Sequence, residues 1–227
     1  MNNNTAILIF ANSAQTESAR KSFSKSEVLF DELNRQTLAK VKKSGLPYFL
    51  SSEKEQQGKN FGERYVNAIQ SVYDKGFENV ITVGNDTPHL QTAQLLKTAK
   101  TLEKNPIVLG PSLDGGYYLM GLHKSQFNSE IFLKLPWQTS RLTVSITRLL
   151  SAKKIKVFFL KRLRDIDEVV DAKKILHSFK DFSKAIRNIL LAIFSSEKRI
   201  YNTTPILVSS VTKETHYNKG SPNTLHL

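Results

Sequence analysis

The sequence predicts an α/β fold of three layers built around a mainly parallel sheet. Three observations carry that prediction. Apolar runs of strand length alternate with segments of helical period. Most of those runs are continuously apolar, as strands covered on both faces are. Glycines stand just past the helical segments, where a left-handed residue closes a helix. With 227 residues, 40% of them hydrophobic, the chain has material for one sizeable core, or for one domain and an extension.

The first strand is "AILIFA" (6–11), and the next is "YFL" (48–50). A helical pattern between them runs from Val28 to Lys43 and stops at Gly45. A second pattern, Phe61 to Lys75, stops at Gly76 and leads to the strand "NVITVG" (79–84). The third helix is expected to begin at Thr87 as N-cap with Pro88 in the first helical position, since Leu90, Ala93, Leu96 and Ala99 recur at helix spacing. Strands "PIVLG" (106–110) and "GYYLMGL" (116–122) follow. A helix from near Ser140, the strand "KVFFL" (156–160) and a helix from near Asp165 to near Phe179 complete the alternation.

Beyond that point the pattern changes. "FKDFSKAIRNILLAIFSS" places Phe182, Ile186, Ile189, Leu190 and Ile193 on one helix face, with lysine and arginine elsewhere. One candidate strand among turn residues follows, with a frayed end. This tail is expected to pack on its own domain or on a second subunit, giving a homo-oligomer; a basic helix on a membrane surface is a further reading.

Charge and composition exclude several classes. The net charge is +13, and it concentrates towards the C-terminus: residues 1–149 carry 18 basic and 13 acidic side chains, residues 150–227 carry 15 and 7. Such a balance favours anionic partners such as nucleotides, whereas nucleic-acid binding rests on charge alone, without an aromatic-basic platform. Scattered lysines also suit a solvated surface. There is no cysteine, so disulfides, thiolate metal sites and a cysteine nucleophile are excluded. The apolar runs "AILIFA" and "ILLAIF" are too short for a signal peptide core or a membrane span, which predicts a cytoplasmic protein with no transmembrane segment.

In open parallel sheets ligands bind outside the carboxyl ends of the strands. Asp86 stands at such an end, in "ENVITVGNDTPHL". It either serves the helix expected at Thr87, whose dipole favours a negative charge, or holds something cationic. Because Thr87 can cap that helix itself, Asp86 is free for the second role. Asp114-Gly115-Gly116 bridges two strands: a tight turn on one reading, a close approach of backbone to ligand on the other. In "RDIDEVVDAKK" Asp165 with Glu168 fits a capping box, which leaves Asp167 to face the same cleft as Asp86. G-x-G-x-x-G, a Walker loop and a nucleophile elbow are all absent. The five histidines are dispersed, and His89, one turn into the expected helix, reads as a surface residue.

Together "QQGKNFGERYVNAI", "VGNDTPHL", "GPSLDGGYYLMGL", "PWQTS" and "RDID" resemble a bacterial family of GT-A-like transferases of undefined activity, the radical-SAM/selenodomain-associated transferases. The resemblance covers roughly residues 5–178. It implies a nucleotide-diphospho-sugar transferase fold over 1–178, with 179–227 as a basic C-terminal extension. It further implies glycosyl or nucleotidyl transfer from a nucleotide or nucleotide-sugar donor, with Mg²⁺ or Mn²⁺ as cofactor. On this resemblance Asp86 and Asp167 (with Asp165 as second choice) match the metal-holding, catalytic acids. Asn85, Asp114, Gly115 and Gly116 fall in the donor and acceptor loops.

One segment departs from the family. Where its members carry a glycine-bearing basic loop of the type Pro-x-x-Gly-x-x-Lys-Thr-Arg-Leu, this chain reads "ANSAQTESARKSF" (11–23), with neither glycine nor proline. Arg20 and Lys21 remain as candidate phosphate contacts. His89 replaces the acidic residue usual after the proline. These departures bear on catalysis rather than on the fold, and they suggest a second class of function: a catalytically lapsed relative that binds a nucleotide or a protein partner.

Overall fold

In the computed structural model the chain is described over residues 4–21, 23–177 and 182–203, the last seven as backbone alone. Among the described residues there are six strands, β1 (Thr5–Phe10), β2 (Tyr48–Ser51), β3 (Asn79–Val83), β4 (Ile107–Pro111), β5 (Tyr117–His123) and β6 (Phe158–Phe159). They form one sheet in the order β2-β1-β3-β5-β4-β6. Each falls on one of the six apolar runs. β1 pairs in parallel with β2 and β3, and β4 with β6, while β5 runs antiparallel to both of its neighbours. The short link between β4 and β5 dictates that reversal, since a parallel return needs a crossover of a dozen residues or more.

Strand alternation explains the unbroken apolar runs. Ala6 and Leu8 of β1 face one layer, with Tyr65, Ile69 and Val72 of α3 (Phe61–Tyr73) and Ile146 of α6 (Leu142–Ala152). Ile7 and Ile9 face the other, with Val41 of α2 (Ser26–Lys43) and Leu95 and Leu102 of α4 (Thr92–Leu102). Both faces are therefore dry. Truncating a fully buried residue such as Ile81 is expected to cost about 2–5 kcal/mol.

A third apolar cluster lies outside the sheet. Leu29, Phe30 and Leu33 of α2 meet Ala172 and Ile175 of α7 (Val169–Leu176) and Ile186, Leu190 and Ile193 of α8 (Lys184–Thr203). The apolar stripe read in the tail is thus buried against the chain's own helices. The candidate strand beyond it, and the expected helix end near Phe179, lie outside the described residues. Among the described residues no helix is long and apolar enough to cross a membrane.

Two helix starts differ from expectation. α4 opens at Thr92 behind Gln91, whose N–H bonds the Gln94 side chain at 2.8 Å, and not at Thr87. Residues 87–90 instead form a turn, Leu90 N–H to the Thr87 carbonyl at 3.1 Å, which buries Leu90 in the core and draws the Thr87 hydroxyl elsewhere. α7 opens at Val169 behind Glu168, whose N–H donates to the Asp171 carboxylate at 3.3 Å, so the box is Glu168–Asp171 and Asp165 is released from it. His89 is buried rather than exposed, its ring edge-on to Phe182 at 5.5 Å, because the turn points it under the chain that enters α8. Among the described residues there are also two short helices, α1 (Ala14–Arg20) and α5 (Ser129–Leu133), and a 3₁₀ turn at Lys124–Gln126.

Candidate active site

The carboxyl ends of β1, β3 and β4 open into a cleft of about 830 Å³. Besides Glu17, three chain segments deliver acids to it. β3 runs straight into Asp86, and the β4–β5 turn brings Asp114. The segment after β6 runs alongside β4, Leu160 and Leu163 donating to the Leu109 and Pro111 carbonyls, and so carries Asp165 and Asp167 to the same edge. There the Ile166 N–H donates to the Asp86 carbonyl at 2.9 Å, which locks the two segments together.

Asp86 caps no helix. Its carboxylate takes the ammonium of Lys21 at 3.3 Å, and the same Nζ stands 2.9 Å from Asp167 Oδ1 and 2.9 Å from the Ile166 carbonyl. Three acceptors match the three N–H groups of an ammonium. Glu17 adds a carboxylate at 3.9 Å and Phe30 a ring face 5.0 Å away. Burial disfavours the charged amine, but Asp86 and then Asp167 outweigh it and raise the Lys21 pKa above its ordinary value. Burial raises the Asp167 carboxyl despite the opposing pull of Lys21. Asp165 is pushed furthest, well above the carboxylate range, by burial and then by the charges of Asp86 and Asp114. It accepts from the Thr87 hydroxyl, which is why Thr87 does not cap α4.

The other expected residues divide. Asn85 lines the cleft but is tied down, its Nδ2 donating to Asn34 at 2.8 Å, and so holds α2 against the β1 end. Arg20 lies exposed on the rim. Asp114 and Gly116 line the cleft, and Asp114 accepts from the Ser112 hydroxyl and from the Gly116 N–H at 3.0 Å. Gly115 is not among the lining residues. At φ +97° it packs on Ser140, where a Cβ would lie 2.1 Å from the carbonyl oxygen.

Several residues of the site carry no role in the sequence reading. Phe10, Phe61, Tyr65, Tyr117 and Trp137 form an aromatic cluster in the cleft lining, with Tyr65 and Trp137 centroids 4.9 Å apart. Burial pushes the Tyr65 phenol up to about 12, and its hydroxyl pairs with Thr82 at 2.5 Å. Gln138, beside Trp137, sits in the left-handed region at φ +58°. Glu53 is the second surprise. Its carboxylate accepts from the Ser13 N–H at 2.7 Å, the Ser13 hydroxyl at 2.5 Å and the Thr16 hydroxyl at 3.1 Å, at the start of α1. Partial burial opposes ionisation there, yet the Ser13 hydrogen bonds pull the carboxyl down to about 2. A lone tryptophan after proline was the available signal for Trp137; nothing in the sequence marks Glu53.

Asp86 and Asp167 have the hard oxygen donors that suit Mg²⁺ or Mn²⁺. As they stand they do not fit one, because the Lys21 ammonium occupies the place between them and an ion enters only by expelling it. Among the described residues no group of three or more His, Asp and Glu side chains is placed to hold a metal ion.

No curated protein matches the sequence. Among solved structures the chain is similar to a "putative nucleotide-diphospho-sugar transferase" from Desulfovibrio desulfuricans G20, at 20% identity over 86% of this chain and 97% of that one, with a TM-score of 0.75. That likeness establishes the fold. More distant are Rv0371C from Mycobacterium tuberculosis H37Rv in complex with manganese (13% identity, 77% and 99% covered, TM-score 0.45) and a CMP:2-keto-3-deoxy-manno-octonic acid synthetase complexed with CTP (10%, 76% and 96%, 0.46). Residues 16–139 match the family DUF2064, described as an uncharacterized protein conserved in bacteria, and the chain belongs to that family.

Proposed function

We propose that the cleft binds a nucleotide-activated donor and that the protein transfers its glycosyl or nucleotidyl group. One observation carries the reading: a cleft of about 830 Å³ at the carboxyl ends of parallel strands, lined by acids, a lysine and a cluster of aromatic rings. Both transfers expel a phosphate-bearing group in line, so catalysis needs positioning and charge stabilisation and no covalent nucleophile. Asp86 and Asp167 act as the pair that fixes the cation of the site. Arg20 and Arg64 on the cleft lining extend positive charge towards the phosphates. Asp114 and Gly116 shape the acceptor side. The Mg²⁺ or Mn²⁺ implied by the family resemblance would have to displace Lys21, and no step is routed through it.

A second reading has its own observation. Residues 14–20, where the resembled family has its glycine loop, form α1, whose helical hydrogen bonds and Glu53 cap occupy amides that a glycine loop would turn to phosphate. That favours a lapsed relative which binds a nucleotide without turning it over.

Trp137 is the single tryptophan of the chain and lines the cleft, so its fluorescence reports on that cleft alone. Titration with a panel of nucleotides and nucleotide-sugars is expected to give a saturable change that names the base. Product formation from the same ligand then separates transfer from binding. Silence from Trp137 and from calorimetry across the panel, in folded protein, removes both readings.

A further inference from the structure

We propose that Lys21 is a built-in counter-ion standing in for a divalent cation, so that this cleft engages its donor without metal. The donor half of the statement rests on the function proposed above; the exclusion of metal does not.

The ammonium is held as a bound cation is held. Asp86, Asp167 and the Ile166 carbonyl saturate its three N–H groups, Phe30 closes its back, and the side chain is 17% exposed. The fold also fixes where the lysine comes from. Lys21 follows α1 directly, its own N–H donating to the Glu17 carbonyl at 2.8 Å. The far end of α1 is anchored by Glu53 through Ser13 and Thr16. Asn12, just before α1, is tied to Glu17 at 2.6 Å and, through its carbonyl, to Asn34 at 3.2 Å. The lysine is therefore delivered by a short helix pinned at both ends rather than by an open loop.

Exchange for a metal ion is unfavourable on two counts. Three charge-assisted hydrogen bonds to the ammonium must break, and the expelled lysine needs a new site for its charge. The divalent ion must also give up part of its hydration shell for two carboxylates set at ammonium distances.

The test uses the full chain, Mn²⁺ alone as probe, and electron paramagnetic resonance to read free Mn²⁺. Lys21→Met is expected to bind Mn²⁺ at least about tenfold more tightly than wild type. Adding Asp86→Asn to that variant should abolish the gain. Wild type binding Mn²⁺ as tightly as Lys21→Met overturns the proposal. Should Lys21→Met fail to fold, wild type decides alone: no Mn²⁺ bound at this cleft, read by Trp137 quenching, supports it, and saturable quenching overturns it. Nucleotide titrations with EDTA and with Mn²⁺ form a separate arm. Equal affinity in both supports the donor half, dependence on Mn²⁺ overturns it, and no binding in either refutes the transferase reading while the Mn²⁺ titration still judges Lys21.

Discussion

Two loops rim the same cleft and satisfy their polar groups in opposite ways. The β4–β5 turn keeps the glycines of the family pattern: Gly115 presses backbone on backbone against Ser140, and Thr143 binds both glycine carbonyls, by its N–H at 3.0 Å and its hydroxyl at 2.6 Å. The β1–α2 segment has lost its glycines. It coils into α1, takes a carboxylate from Glu53 at one end and supplies an ammonium to Asp86 and Asp167 at the other. The difference teaches that one rim of the cleft is held by close backbone packing that only glycine permits. The other rim is held by charges paired with one another.

Breaking the glycine side gives the largest effect. Gly115→Ala combines positive φ with a collision against Ser140 backbone, and a loss of about 3 kcal/mol or more is expected in urea denaturation. Next comes Lys21→Met, which leaves Asp86 and Asp167 without a partner. About 2 kcal/mol is expected, below the value for a sealed ion pair because the Asp167 side chain is 46% exposed. The sign with pH follows: Lys21 is raised in the folded state, so its contribution is complete below the ordinary lysine pKa and fades only as pH climbs through the raised value.

Glu53→Gln probes the opposite end of α1 and should cost about 1 kcal/mol at neutral pH. Because the folded carboxyl is depressed to about 2, the difference from wild type should shrink as pH falls from its ordinary value towards 2. The smallest effect lies outside both loops. Burial brings the Lys40 amine, which donates to the Pro88 carbonyl at 3.0 Å, down to about 8. Wild type should therefore gain stability between pH 8 and the ordinary lysine pKa, and Lys40→Met should stay flat there, within about 1 kcal/mol of wild type at neutral pH.

All six strands were legible because continuous apolar runs leave few alternatives, and the reversal of β5 followed from the short Asp-Gly-Gly turn. Helix starts were less legible. Thr87-Pro88 has the right residues for a cap, but local propensity yielded to Asp165, which claims the Thr87 hydroxyl from 78 positions away. The site divides in the same manner. Asp86 and Asp114 sit at a strand end and a turn, where sequence position places them near a cleft, whereas Asp167 was legible chiefly through the family resemblance. Glu53 and the aromatic cluster come together only through tertiary packing, and no local pattern announces them. Lys21 was visible as a cation, but not that its partners would be the very carboxylates matched to a metal.

The most direct measurement is calorimetric titration of the full chain with the nucleotide and nucleotide-sugar panel in EDTA, for wild type and Lys21→Met. The account predicts saturable one-to-one binding by wild type without metal, lost or weakened at least about tenfold in the variant. Binding that appears only when Mn²⁺ is added, and survives the loss of Lys21, would contradict it.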